Sequence, residues 1–175
     1  MANATMTLIS SQTLGGTTAS VTFASIPSTY NDLKLVYSAR TDQTPNVYSY
    51  HYVTFNSDTT TKYSATYLYG NGGSVGSLRE TNATDSGNND PIINSSGGLA
   101  NTFSTSEIYI PNYNSVGTKP FILLSVQEAN SSTAYIYFEA EQYRGTSGIS
   151  SIKLTPSSGN FVQYSDFYLY GIKNS

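Results

Sequence analysis

Apolar and polar residues alternate with a period of two along most of this chain, and no segment sustains a 3.6-residue period over three turns. Leu33, Leu35, Tyr37 and Ala39 alternate with Lys34, Val36, Ser38 and Arg40, the clearest one-sided strand of the N-terminal half. Shorter β-like runs precede it at Thr5 to Ile9 and around Val21 and Phe23, the latter closed by Ile26-Pro27 because proline cannot donate to a ladder. Tyr48 to Phe55 is aromatic throughout, and Lys62 to Tyr69 sets Tyr63, Ala65, Tyr67 and Tyr69 on one face.

In the C-terminal half, Phe103 to Ile110 and the nearly continuous apolar run Phe121 to Val126 predict two more strands. In the next strand Ala134, Ile136, Phe138 and Ala140 face one way, with Tyr135, Tyr137, Glu139 and Glu141 facing the other; the carboxylates are expected outside. Two strands joined by a Pro-Ser-Ser-Gly-Asn turn end the chain as a hairpin. Ile152, Leu154, Phe167 and Leu169 point inward there, and Lys153, Thr155, Asp166, Tyr168 and Tyr170 outward. Gly70 to Gly98, rich in glycine, asparagine, serine and aspartate, predicts one long polar loop.

Nine or ten short strands with sparse helix formers predict an all-β protein, an antiparallel β-sandwich of two sheets of about four strands, jelly-roll-like. An immunoglobulin-like sandwich is the alternative, without its Cys-Trp-Cys landmarks. A chain of 175 residues suits a single domain, 1–175.

Charge and composition narrow the partners. Eight Lys plus Arg against eleven Asp plus Glu leave a net charge of −3, which opposes binding to a phosphate backbone, so no nucleic acid is expected. No apolar run approaches the length that spans a bilayer, so no membrane association is expected; the opening MANATMTLIS lacks a signal peptide's basic and apolar regions, which predicts synthesis in a cytoplasm. Cysteine is absent, which removes disulfides and thiolate chemistry. Only 11% of residues are charged while tyrosine occurs 16 times, a composition suited to contact between surfaces.

Candidate chemistry is thin. Gly72-Gly73-Ser74-Val75-Gly76 matches the G-x-S-x-G elbow, but that motif needs a following helix and a histidine. The single histidine, His51, shares a strand face with Val53 and Phe55, where packing is the expected role. Glu139 and Glu141 have the spacing for a carboxylate pair, although paired carboxylates on an outer strand face ordinarily keep an edge soluble. Asn82 to Asp90 is rich in oxygen ligands without the ordered spacing of a calcium loop. The expectation is therefore no catalytic residue, no metal and no cofactor. The tyrosines Tyr48, Tyr50, Tyr52, Tyr135, Tyr137, Tyr168 and Tyr170 are the candidate interaction surface, the competing role for one row of each pair being core.

Three sets of blocks carry a family resemblance: ASVTFASIPSTYNDLKLVYSAR at 19–40; FNSDTTTKYSATYLYGNGGSV at 55–75 with IYIPNYNSVGTKPFILL at 108–124; and SIKLTPSSGNFVQYSDFYLYGI at 151–172. In this order they resemble a family of tailed-bacteriophage virion proteins, common in phages of aquatic bacteria and cyanobacteria. That resemblance implies a non-enzymatic β-sandwich built into the particle, of the capsid decoration or cement type, without placing it on the virion. The leading expectation is docking on the outer capsid surface, with the major capsid protein and neighbouring copies of itself as partners; closed symmetry suggests a homo-oligomer, for which a trimer is a guess. A receptor- or carbohydrate-binding module of a tail fibre or tailspike is the alternative, although the chain has no coiled-coil or repeat segment for a long shaft.

Overall fold

The computed structural model describes residues 5–86 and 91–173. Twelve strands are present among them: β1 Met6–Thr13, β2 Val21–Phe23, β3 Asp32–Ala39, β4 Tyr48–Phe55, β5 Tyr63–Gly70, β6 Val75–Ala83, β7 Ile92–Asn94, β8 Ser104–Ile110, β9 Lys119–Gln127, β10 Tyr135–Tyr143, β11 Ile152–Pro156 and β12 Asp166–Ile172. They form an eight-stranded sheet in the order β1-β12-β3-β8-β9-β10-β5-β6 and a four-stranded sheet in the order β2-β11-β4-β7, with antiparallel pairing throughout both.

Setting aside the β5–β6 and β9–β10 hairpins leaves β1-β12-β3-β8 facing β2-β11-β4-β7. Along these eight strands the chain changes sheet at every step except β4 to β7, the double Greek key of a jelly roll. The two hairpins, inserted between β4 and β7 and between β8 and β11, join edge to edge through β10 and β5 and continue the first sheet beyond the jelly roll. The expected two sheets of four are thus this central unit, and the extra strands are a platform built onto one side.

The main core lies between the sheets. Leu33, Leu35, Tyr37, Phe167 and Leu169 from β3 and β12 meet Val21, Phe23, Val53, Phe55, Ile152 and Leu154 from the small sheet. Phe167 stacks on Tyr37 (centroids 5.7 Å apart) and meets Phe161 edge-on at 5.2 Å. Each such fully buried side chain stabilises the fold by about 1.5–3 kcal/mol. A second cluster sits on the other side of β7: Ile92 packs with Ala65, Tyr67 and Tyr137 while its neighbour Ile93 belongs to the main core, so both faces of this short strand are covered.

Four expectations are corrected. The closing strands carry their predicted inward residues, but they are not a hairpin: β11 pairs with β2 and β4 and β12 with β1 and β3, so the Pro156–Asn160 turn is an arch between sheets. The long loop at 70–98 contains β6 and β7. Twelve strands replace nine or ten. In β10 the faces are reversed. Tyr137, Glu139, Glu141 and Tyr143 are buried, whereas Ile136 and Phe138 are about half exposed, at 51% and 50%. Alternation gives the two faces of a strand but not which one is covered, and here the small sheet covers the polar one.

Two buried cations fasten the loops at the ends of the sandwich. The Arg40 guanidinium donates to the carbonyls of Leu99 (2.8 Å) and Thr102 (2.9 Å), and the Lys119 ammonium to those of Gly117 (2.8 Å), Gly145 (2.9 Å) and Ser147 (2.7 Å). Burial pulls the pKa of both down from the ordinary value. Arg40→Ala leaves two loop carbonyls without these donors, and chemical denaturation is expected to show a loss of about 2–4 kcal/mol, charged hydrogen bonds being worth about 1.5–3 kcal/mol each.

Candidate functional site

The residues singled out for chemistry do not assemble at a surface: His51, Glu139 and Glu141 gather about the buried Tyr37, while Ser74 is exposed on a turn. Ser74 closes the β5–β6 hairpin, in which Asn71 N–H donates to Ser74 O (3.1 Å) and the Asn71 side-chain oxygen accepts from the backbone of Gly73 and Ser74. Gly72, at the first central position, has φ 81°, the positive φ that a primed two-residue turn needs and that glycine adopts without steric cost. The motif is therefore strand-turn-strand, with no helix to make it a nucleophile elbow.

His51 is fully buried and its Nε2 lies 2.5 Å from the Tyr37 hydroxyl. Burial lowers the imidazole pKa from 6.5 to about 3, against a backbone hydrogen bond with Pro91 that raises it. The same burial pushes the Tyr37 phenol up, with a hydrogen bond from Ser106 opposing and the charges of Glu139 and Glu141 adding to the rise. Glu139 and Glu141 thus lie buried in the sandwich, near enough for their charges to act on Tyr37, and not on an outer edge.

A pH dependence follows from His51. Its folded pKa lies below its unfolded value, so between pH 6.5 and about 3 the unfolded chain binds more protons and this contribution to stability falls as pH drops. Urea midpoints measured across that window should decline towards acid, and the decline should be shallower in His51→Gln.

Of the oxygen-rich stretch Asn82 to Asp90, residues 82–86 are described and 87–90 lie outside the described residues. Among the described residues no three acidic or histidine side chains gather to hold an ion.

The candidate tyrosines divide into three groups. Tyr137 is buried at 7% exposure, a correction to its place on an interaction surface. Tyr48, Tyr50 and Tyr135 are half-buried and join it in a ring-on-ring cluster: Tyr48 meets Tyr135 at 5.2 Å and Tyr50 at 5.5 Å, and Tyr137 stacks on Tyr69 at 5.5 Å. Their rings satisfy each other across β4, β5 and β10 and do not spread over a free face. Tyr52 lies apart, half-buried beside a groove with Asn82 and Asp85. Tyr168 and Tyr170 are half-buried on the outer face of the large sheet, opposite Val36 and Lys34.

That outer face carries the feature the sequence concealed. Registers across the platform set Leu124 beside Phe138 and Phe138 beside Leu68, Ile122 beside Ala140, and Val126 beside Ile136, which in turn neighbours Gly70 and then Val75. Leu68, Val75, Ile122, Ile136 and Phe138 are all exposed, at 40–88%. Leu68, Gly70, Val75, Ile136 and Phe138 line a shallow groove of about 570 Å³. Charge begins only at the margins, with Arg79 on β6 and the Lys34–Glu107 pair (2.9 Å) on β3 and β8. Contiguous apolar surface of this kind, with a polar rim, is a mark of an interaction site.

The fold and this face define a jelly-roll sandwich with a lateral β-platform whose outer surface is apolar. Searches against protein-family models, curated proteins and solved structures found no match for the chain.

Proposed function

We propose that this protein is a non-enzymatic structural module of a bacteriophage virion, a decoration protein that binds the outer surface of the major capsid shell through the apolar face of its β-platform. The observation that carries this reading is the exposed block of Leu68, Ile122, Ile136 and Phe138 on neighbouring strands of one sheet face. With it goes the burial of His51, Glu139 and Glu141, the groups that hydrolytic chemistry would use. Jelly rolls recur in capsid and lectin domains, an analogy at the level of fold alone. The sequence resemblance to phage virion proteins points the same way.

The mechanism is passive. A rigid sheet excludes water from its apolar face on docking, and repetition over a shell lets contacts of modest individual affinity act together. A specific interface of this type buries about 800 Å² per partner.

A receptor- or carbohydrate-binding module on a tail is the second reading. A polar groove of about 380 Å³ beside Tyr48 and Tyr50, lined also by Gln43, Asn46 and Thr133, favours it. Copy number separates the two. Gel densitometry of purified particles should show this chain in amounts comparable to the major shell protein; a ratio typical of tail components would overturn the decoration reading.

A further inference from the structure

Among the described residues the large sheet ends on two unpaired edges, β1 and β6, and they are not equivalent. In β1 a register shift between Leu8 and Ser10 interrupts the ladder, a bulge of the kind that blunts an edge. In β6 the register with β5 runs without a break from Val75 to Thr81, the shift coming only at its end, between Tyr63 and Ser64 on β5. The free stretch contains no proline and no lysine, the residues that most often guard an edge. Val75 on its outer side and Leu78 on its inner side are 88% and 55% exposed.

The direction of the backbone groups follows from the turn. Asn71 and Ser74 are hydrogen-bonded to each other, so by alternation Val75, Ser77, Arg79 and Thr81 turn their N–H and C=O groups away from β5. We infer that this edge pairs with β6 of a second copy, antiparallel about a two-fold axis perpendicular to the sheet. Such an axis keeps each face on its own side, so odd-numbered residues meet odd and even meet even. The register centred on Leu78 then pairs the whole stretch: Leu78 opposes Leu78 of the second copy, Ser77 opposes Arg79, Val75 opposes Thr81 and Gly76 opposes Glu80.

Charge selects this register over its neighbours. One step along, Arg79 would face Arg79, and one step further Glu80 would face Glu80, and like charges directly opposite are destabilising. The step in the other direction leaves Thr81 outside the paired stretch. A closed two-fold pair is the commonest form of homo-oligomer. It also sets the two apolar faces side by side in one sheet. The inference does not depend on where on a particle the protein sits.

The absence of cysteine makes the test direct, since any single cysteine introduced is the only thiol. Leu78 and its symmetry mate form a non-hydrogen-bonded pair, with Cα atoms about 4.5 Å apart, within the range a disulfide spans. Purified wild-type protein is expected at twice the chain mass by light scattering. Leu78→Cys should become a covalent dimer on mild oxidation while Ser77→Cys and Arg79→Cys stay largely uncrosslinked. Ser77→Pro, which removes an outward N–H without touching the bonds to β5, should run at one chain mass and melt cooperatively, with a midpoint that, unlike that of the dimeric wild type, does not depend on protein concentration.

A monomeric wild-type protein, crosslinking that dominates at 77 or 79, or a dimer that survives in folded Ser77→Pro would each overturn the inference. Should Ser77→Pro fail to fold, the cysteine scan decides alone. Particle copy number plays no part in these measurements, so their outcome is separate from that of the virion reading.

Discussion

Phe167→Ala is expected to cost about 3–5 kcal/mol, the range for emptying the site of a fully buried phenylalanine. The ring has no exposed surface and lies between Tyr37 and Phe161, so its removal deprives two further aromatics of a partner. At roughly 2–4 °C per kcal/mol for a chain of this size, the melting temperature should fall by about 6–20 °C. Tyr168→Ala is the control. That side chain follows Phe167 on β12 but stands on the outer face, half-buried, and its loss should leave melting close to wild type. Equal losses in the two variants would show that the assignment of faces in β12 is wrong.

Phe138→Asp should have the opposite profile. Phe138 is half exposed at the middle of the platform, between Leu124 and Leu68, so a carboxylate there stays in water in the free protein and melting should change little. On docking, the same carboxylate would be taken out of water without a partner. Truncation of central interface aromatics often costs 2 kcal/mol or more, and an unpaired buried charge adds to that, so retention on particles should drop by about 30-fold or more. Sedimentation of particles incubated with purified variants measures this directly. Wild-type retention by a folded Phe138→Asp protein would remove the apolar face from the proposed function, and loss of retention in Tyr48→Ala or Tyr50→Ala would move the contact to the tyrosine cluster.

The sandwich was legible because most of its strands are covered on one side only, and their side chains record it. β3 and β12 alternate cleanly since Leu33, Leu35, Tyr37, Phe167 and Leu169 all reach the same core. β6 escaped the same reading for the complementary reason. As an edge strand reaching past the small sheet it has no covered face, so Val75, Leu78, Arg79 and Thr81 are exposed regardless of parity and no period of two survives. β7 escaped because both of its faces are covered and three residues are too few for any period.

The sequence by itself determined the fold class, the membership of most strands, the packing role of His51 and the absence of thiol chemistry. It did so because burial on one face of a strand writes itself into every second residue. Only the tertiary structure decided which sheet each strand joined, since β11 and β12 are neighbours in sequence yet pair in different layers. It also decided the sense of β10. A strand bearing Tyr137, Glu139 and Glu141 on one side and Ile136 and Phe138 on the other has two coherent faces, and the layer packed against it selects the interior. The four-stranded sheet took the polar side inward and left the apolar side in water, and that choice produced the surface on which the proposed function rests.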